Sequence, residues 1–143
     1  MIRYFLLTLL YFIVLSLSSC SDGGSDGGGG TNNTVPTLTL TEPSGTYTVD
    51  TSFVITWTDE DPDNNAIISL YYDTDNSGND GTLIDNSISE DNEDDYYSWD
   101  TSLVSNGTYY ICAEIDDSVN SPVFIYSSGT ITVNHAMANT APT

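Results

Sequence analysis

Between Pro36 and Val133 the chain repeats one device: a short burst in which apolar and polar residues alternate, then a cluster of turn formers. Alternation with a period of two puts every second side chain on one face of an extended strand. "TLTLT" sets Leu38 and Leu40 on one face, and "GTYTV" sets Tyr47 and Val49. "FVITW" turns Phe53, Ile55 and Trp57 the same way, and "AIISLYY" does so with Ile68, Leu70 and Tyr72. "TLI" reads as a short strand near Leu83, and "YYSW" offers Tyr97 and Trp99. "TYYICAEI" aligns Tyr109, Ile111, Ala113 and Ile115, and "VFIY" and "TITV" close the series with Ile131 and Val133. No segment here has a helical period, and β-branched and aromatic residues dominate. About seven to eight short strands at this spacing predict an all-β sandwich.

Acidity of this degree can signal disorder. The regular recurrence of Tyr, Ile, Val, Phe and Trp argues for a folded domain here. The formal net charge is −20, and the single Lys or Arg is Arg3. Beyond Arg3 the chain carries all 21 Asp and Glu residues without a fixed cation. Nucleic acid and anionic membrane surfaces are therefore excluded as direct partners, because both are held by cationic side chains. Divalent cations, a salty habitat or a cationic partner remain.

The segments "FVITW", "YYDTDNSGNDGTLI", "YSWDTS" and "GTYYICAEIDD" resemble immunoglobulin-like and fibronectin type III-like modules of bacterial surface proteins. The resemblance implies an immunoglobulin-like β-sandwich over residues 36–134. It says little about function, because such modules serve as spacers, binders and enzyme appendages. "GTYYIC" is similar to the tyrosine corner of these folds, with Tyr109 as the residue whose hydroxyl would bond nearby backbone. Unlike antibody domains, the module has no second core cysteine.

The N-terminus has its own pattern. Arg3 precedes the apolar run "YFLLTLLYFIVLSL", which is shorter than the roughly twenty residues a spanning helix needs. A charged start, a short apolar core and small residues after it predict a secretory signal peptide at 1–19, with an uncleaved membrane helix as the alternative. "LSSC", Leu17 to Cys20, resembles the lipobox of bacterial lipoproteins. That resemblance implies cleavage before Cys20 and lipid on its sulfur, so the membrane partner is reached through Cys20. Ser21, which follows, implies an outer-membrane, surface-exposed location in the bacterial envelope. Residues 20–35, rich in Gly, Ser and Asp, form a tether; about 13 flexible residues span roughly 20 Å. With Cys20 lipidated, Cys112 has no partner for an intrachain disulfide. "NTVPT" at Asn33 to Thr37 returns as "NTAPT" at Asn139 to Thr143. Residues 135–143 then read as a linker leading into a second such module, or as chance similarity in a Thr- and Asn-rich chain.

Catalysis finds little support. His135 is the lone histidine and lies beyond the last strand, and beyond Arg3 no Lys or Arg is present to steady an oxyanion or a phosphate. The expectation is a protein that is not an enzyme. The carboxylates say more. "DTDNSGND", with Asp73, Asp75, Ser77 and Asp80, opens like an EF-hand calcium loop. It departs at the twelfth position, where Ile84 replaces the bidentate Glu. It reads either as a calcium loop or as a solvated hairpin turn. In the resembled topology, "DEDPDNN", "SEDNEDD" and "IDDSVN" share one end of the sandwich. They gather Asp59, Glu60, Asp61, Asp63, Glu90, Asp91, Glu93, Asp94, Asp95, Asp116 and Asp117. Asp61, Asp63 and Asp116 are the expected calcium ligands there, against the alternative of a fully solvated acidic surface.

These observations together predict a lipid-anchored structural or adhesion module that spaces or displays material beyond the envelope, in series with further modules. The alternative is a calcium-dependent binder of a glycan or protein. An aromatic platform would favour the binder, with Tyr71, Tyr96 and Tyr110 as its outward candidates.

Overall fold

The computed structural model describes residues 32–136. The signal peptide at 1–19, Cys20, most of the tether and the "NTAPT" segment lie outside the described residues. Nine strands follow one another: β1 (Thr37–Glu42), β2 (Thr46–Val49), β3 (Ser52–Glu60), β4 (Ile67–Asp73), β5 (Thr82–Ser89), β6 (Tyr96–Asp100), β7 (Gly107–Asp116), β8 (Val123–Tyr126) and β9 (Thr130–Val133).

They form two sheets. One is β1-β3-β6, antiparallel throughout. The other runs β2-β9-β7-β4-β5, with β8 also on β7. The strands cross between layers in the order of an immunoglobulin-like sandwich. β8 and β9 pair with successive stretches of β7, Cys112–Ile115 and Gly107–Tyr109. They are two halves of one interrupted strand. At the break, Ser127 replaces the missing ladder: its amide donates to the Ile111 carbonyl at 2.8 Å, and its hydroxyl accepts from the Ile111 amide at 3.0 Å. β2 adds to β9 in parallel.

The alternation read from the sequence fills the space between the layers. Leu38, Ile55, Trp57 and Trp99 face Ile68, Leu70, Tyr109, Ile111, Ala113, Ile115, Ile131 and Val133. Leu40, Phe53, Tyr72 and Tyr97 pack partly buried against them. Tyr72 stacks on Trp99 and meets Tyr109 edge-on, with ring centroids 5.2 Å apart in both pairs. The expected tyrosine corner is present, with the Tyr109 hydroxyl donating to the Ser105 carbonyl at 2.9 Å.

The strand near Leu83 is longer than "TLI", reaching Ser89. Alternation along β5 sets Ile84 and Ile88 against the core and leaves Leu83 facing out, 48% exposed, while two register irregularities interrupt its pairing with β4.

Topology also fixes where the chain enters and leaves. Thr34 lies beside Asp63 and Asn120, at the pole formed by the β3–β4, β5–β6 and β7–β8 loops. His135 lies beside Asp50, Val104 and Asn106, at the opposite pole with the β2–β3, β4–β5 and β6–β7 loops. The ten residues of β7 run between the poles and span roughly 30 Å.

Candidate functional site

The entry pole gathers the three acidic loops. Asp61 uses Oδ1 to cap its own loop, accepting from the amides of Asp63 at 3.1 Å and Asn64 at 3.4 Å. Its amide donates to Oε1 of Glu90 at 2.9 Å, joining the β3–β4 loop to the residue that follows β5. Asn65 donates to Asp91 at 2.8 Å, and Asn64 to the Asp117 carbonyl at 3.4 Å. Asp117 caps the β7–β8 loop, accepting from the amides of Val119 and Asn120. Asp116 is engaged by the Ser118 amide at 2.8 Å. The entering chain is clasped here: the Thr34 amide donates to Asp63, Asn120 donates to the Thr34 carbonyl, and the side-chain amides of Asn33 and Asn120 meet.

Electrostatics at this pole are one-sided. Burial holds the Asp59 carboxyl above its usual range, against the Trp57 indole that donates to it, and Asp95 and Glu90 push it the same way. Asp63 is held below the usual range by its bonds to Thr34. Two carboxylate oxygens, Oδ2 of Asp61 and Oε2 of Glu90, are shut off from solvent and have no hydrogen-bond partner.

The exit pole holds the loop that begins like an EF-hand. Asp75 Oδ1 accepts from the Ser77 amide at 2.9 Å and its hydroxyl at 2.8 Å, and Gly78 and Asn79 take positive φ, at 88° and 54°. Gly suits that conformation because it lacks Cβ. Asp73 is only 7% exposed. Its Oδ1 accepts from the Asp75 amide at 3.3 Å. Tyr126 places its hydroxyl 3.0 Å from Asp73 Oδ2 and 2.9 Å from the Ser77 carbonyl, and accepts from the Asn79 amide at 3.0 Å. Burial pushes the Tyr126 hydroxyl well above its ordinary value, and the Asp73 bond adds to this. Asp73, Asp75 and Asp80 line a cleft of about 200 Å³ with Tyr72 and Tyr109. Ser77 does not line it.

Among the described residues, no three His, Cys, Asp or Glu side chains converge as a metal-holding group. Neither Asp73, Asp75 and Asp80 nor Asp61, Asp63 and Asp116 stands as a finished cage of carboxylates. At the entry pole the structure brings Asp61 to Glu90, a partner 29 residues away that spacing alone did not single out.

The three tyrosines expected to face outward do so on two different sides. Tyr96, 54% exposed, lies on the outer face of the three-stranded sheet. Tyr71 and Tyr110 lie on the outer face of the larger one. There the register aligns Leu83, Tyr71, Cys112 and Tyr126 across four strands, with Phe124 paired to Glu114 beside them. The Tyr71 hydroxyl donates to Glu114 at 3.0 Å. Cys112 is a free thiol buried in this row, and burial pushes it up to about 11. A thiol so rarely ionised is a poor nucleophile.

No family model matches the sequence, and no curated protein matches it. Among solved structures, the fibronectin(III)-like modules of Clostridium thermocellum CbhA are similar, with a TM-score of 0.49 and 20% identity. The likeness covers 76% of this chain and 51% of that one, so this chain spans about half of its length.

Proposed function

We propose that the protein is a non-catalytic module that spaces or displays material beyond a bacterial envelope, held there by lipid on Cys20. The observation that carries this reading is the placement of entry and exit at opposite poles, roughly 30 Å apart along the strands. A domain threaded end to end adds its full length to whatever it separates. The leader supports the anchor: "LSSC" follows a short apolar run, and stable anchoring needs more than one acyl chain, as lipobox proteins carry. Feeding cells a labelled fatty acid tests it. The protein takes up label, and Cys20→Ser loses both label and membrane retention. A Ser variant that stays in the membrane sinks the lipid anchor in favour of an uncleaved helix.

A second reading, calcium-dependent binding of a glycan or protein, draws support from the outer face of the larger sheet. Its row of Leu83, Tyr71 and Tyr126 ends beside the cleft lined by Asp73, Asp75 and Asp80. Flat aromatic rings beside carboxylates suit a sugar, whose C–H face stacks while its hydroxyls donate. Retention on immobilised polysaccharides with calcium, lost on chelation and in Tyr71→Ala, is the expected outcome. Retention unaffected by both changes removes this reading.

A further inference from the structure

We propose that the entry pole is a joint between modules: its loops grip the segment Asn-Thr-x-Pro-Thr, and residues 139–143 offer the same segment to a following module of this kind. The segment occurs twice, as "NTVPT" at 33–37 and "NTAPT" at 139–143. In the first occurrence the structure gives each returning residue a role. The side-chain amide of Asn33 meets those of Asn64 and Asn120. Thr34 donates its amide to Asp63 at 2.5 Å, and its carbonyl accepts from Asn120 at 3.2 Å. By side chain and amide together, Thr34 holds the Asp63 carboxyl below the usual range, so the acceptor stays ionised at neutral pH. Pro36 is buried, and Thr37 opens β1 opposite Glu60. Val35 is the exception, 49% exposed. It is also the one position at which the two segments differ, Val35 against Ala141. Chance in a Thr- and Asn-rich chain has no reason to keep the four engaged positions and change the exposed one.

The exit is fastened close to the second segment. The Asn134 amide donates to the Val49 carbonyl at 2.9 Å and the His135 amide to Asn106 at 2.8 Å, while the His135 ring sits between Asp50 and Val104. Ala136, Met137 and Ala138 alone separate His135 from Asn139. Four Cα steps reach about 14 Å at full stretch. Two sandwiches lying side by side, each of two sheets about 10 Å apart, have axes about 20 Å apart. A connection this short, gripped at both ends, holds successive modules end to end. The joint rests on the spacer reading and deepens it, and it does not involve the lipid on Cys20.

The first test uses the chain as it stands. Val35→Ala turns residues 33–37 into the second segment and leaves the melting temperature unchanged, whereas Thr34→Ala lowers it by several degrees. The second test appends another copy of residues 38–136 to the full chain directly after Thr143, so that 139–143 stand where 33–37 stand in the first. Calorimetry then shows one coincident transition, and small-angle X-ray scattering shows an end-to-end particle. Replacing 139–143 by five Gly and Ser residues splits the transition, with the second copy melting lower on the order of 10 °C. Cys20→Ser leaves all of these results in place, so a failed joint and a failed anchor are told apart. A loss on Val35→Ala equal to that on Thr34→Ala overturns the joint. So does a second copy that fails to fold behind the intact segment, one that melts alike behind Gly and Ser, or a particle with its modules side by side.

Discussion

Tyr109 reaches back four residues to the carbonyl of Ser105, at 2.9 Å, while its ring meets Tyr72 edge-on. The bond ties the β6–β7 loop to the strand that runs through the centre of the larger sheet. Tyr109→Phe keeps the ring and removes only the donor. The expected loss is about 1 kcal/mol, the usual net worth of one such bond. Urea denaturation measures it, and an unchanged midpoint would mean the corner contributes nothing.

Trp57 is buried in the three-stranded sheet, 3% exposed, with its indole on Asp59. Trp57→Ala opens a cavity against Ile55, Trp99 and the facing sheet, at a cost of about 3–5 kcal/mol. That is a large part of the stability of an ordinary domain. Melting within a degree or two of the parent would contradict the packing of the two sheets.

Gly129 and Gly45 look alike in sequence and behave oppositely in structure. A Cβ on Gly129 would stand 2.1 Å from the Gly45 carbonyl oxygen, backbone that cannot swing aside. A Cβ on Gly45 meets only the Tyr47 ring, at 3.9 Å. Gly129→Ala is expected to cost about 1–3 kcal/mol through forced backbone movement. Gly45→Ala leaves the melting temperature near that of the parent. Equal effects from the two would refute the close approach.

The imidazole of His135 faces two acceptors, Asp50 Oδ1 at 3.0 Å from Nδ1 and the Val104 carbonyl at 2.8 Å from Nε2. Only the doubly protonated ring satisfies both. Its pKa is raised accordingly, first by Asp50 and then by Val104. The clasp is therefore complete below the ordinary histidine value of about 6.5 and lost as pH rises through the folded value. The ring-proton NMR titration of this single histidine reads the folded pKa directly. Asp50→Asn moves it downwards, and a midpoint at or below that of a free histidine in the parent would remove the clasp.

Local alternation made the core legible. Ile55, Trp57, Trp99, Ile111 and Ile131 all face inward where a period of two placed them, and the likeness of "GTYYIC" to the tyrosine corner of immunoglobulin-like folds pointed to Tyr109. Acidic loops at one pole followed from the strand order of the resembled fibronectin-like fold. What escaped the sequence depends on pairing between distant segments. The register irregularities between β4 and β5 are one case, which no run of residues displays. Tyr96 and Tyr71 part company because their strands join different sheets. Glu90 meets Asp61 only once two loops have been brought together by the sandwich beneath them.

Entry and exit at opposite poles also decide how the domain answers a pull. Tension between Thr34 and His135 runs along the strand axes. It reaches β1 first, whose hydrogen bonds to β3 then slide against one another instead of peeling apart singly. At the other end the load passes through β9, flanked by its parallel partner β2 and by β7, in the same sliding geometry. A row of bonds loaded side by side gives way only together. A pull applied through the two ends of the domain would therefore meet this fold in its mechanically resistant direction.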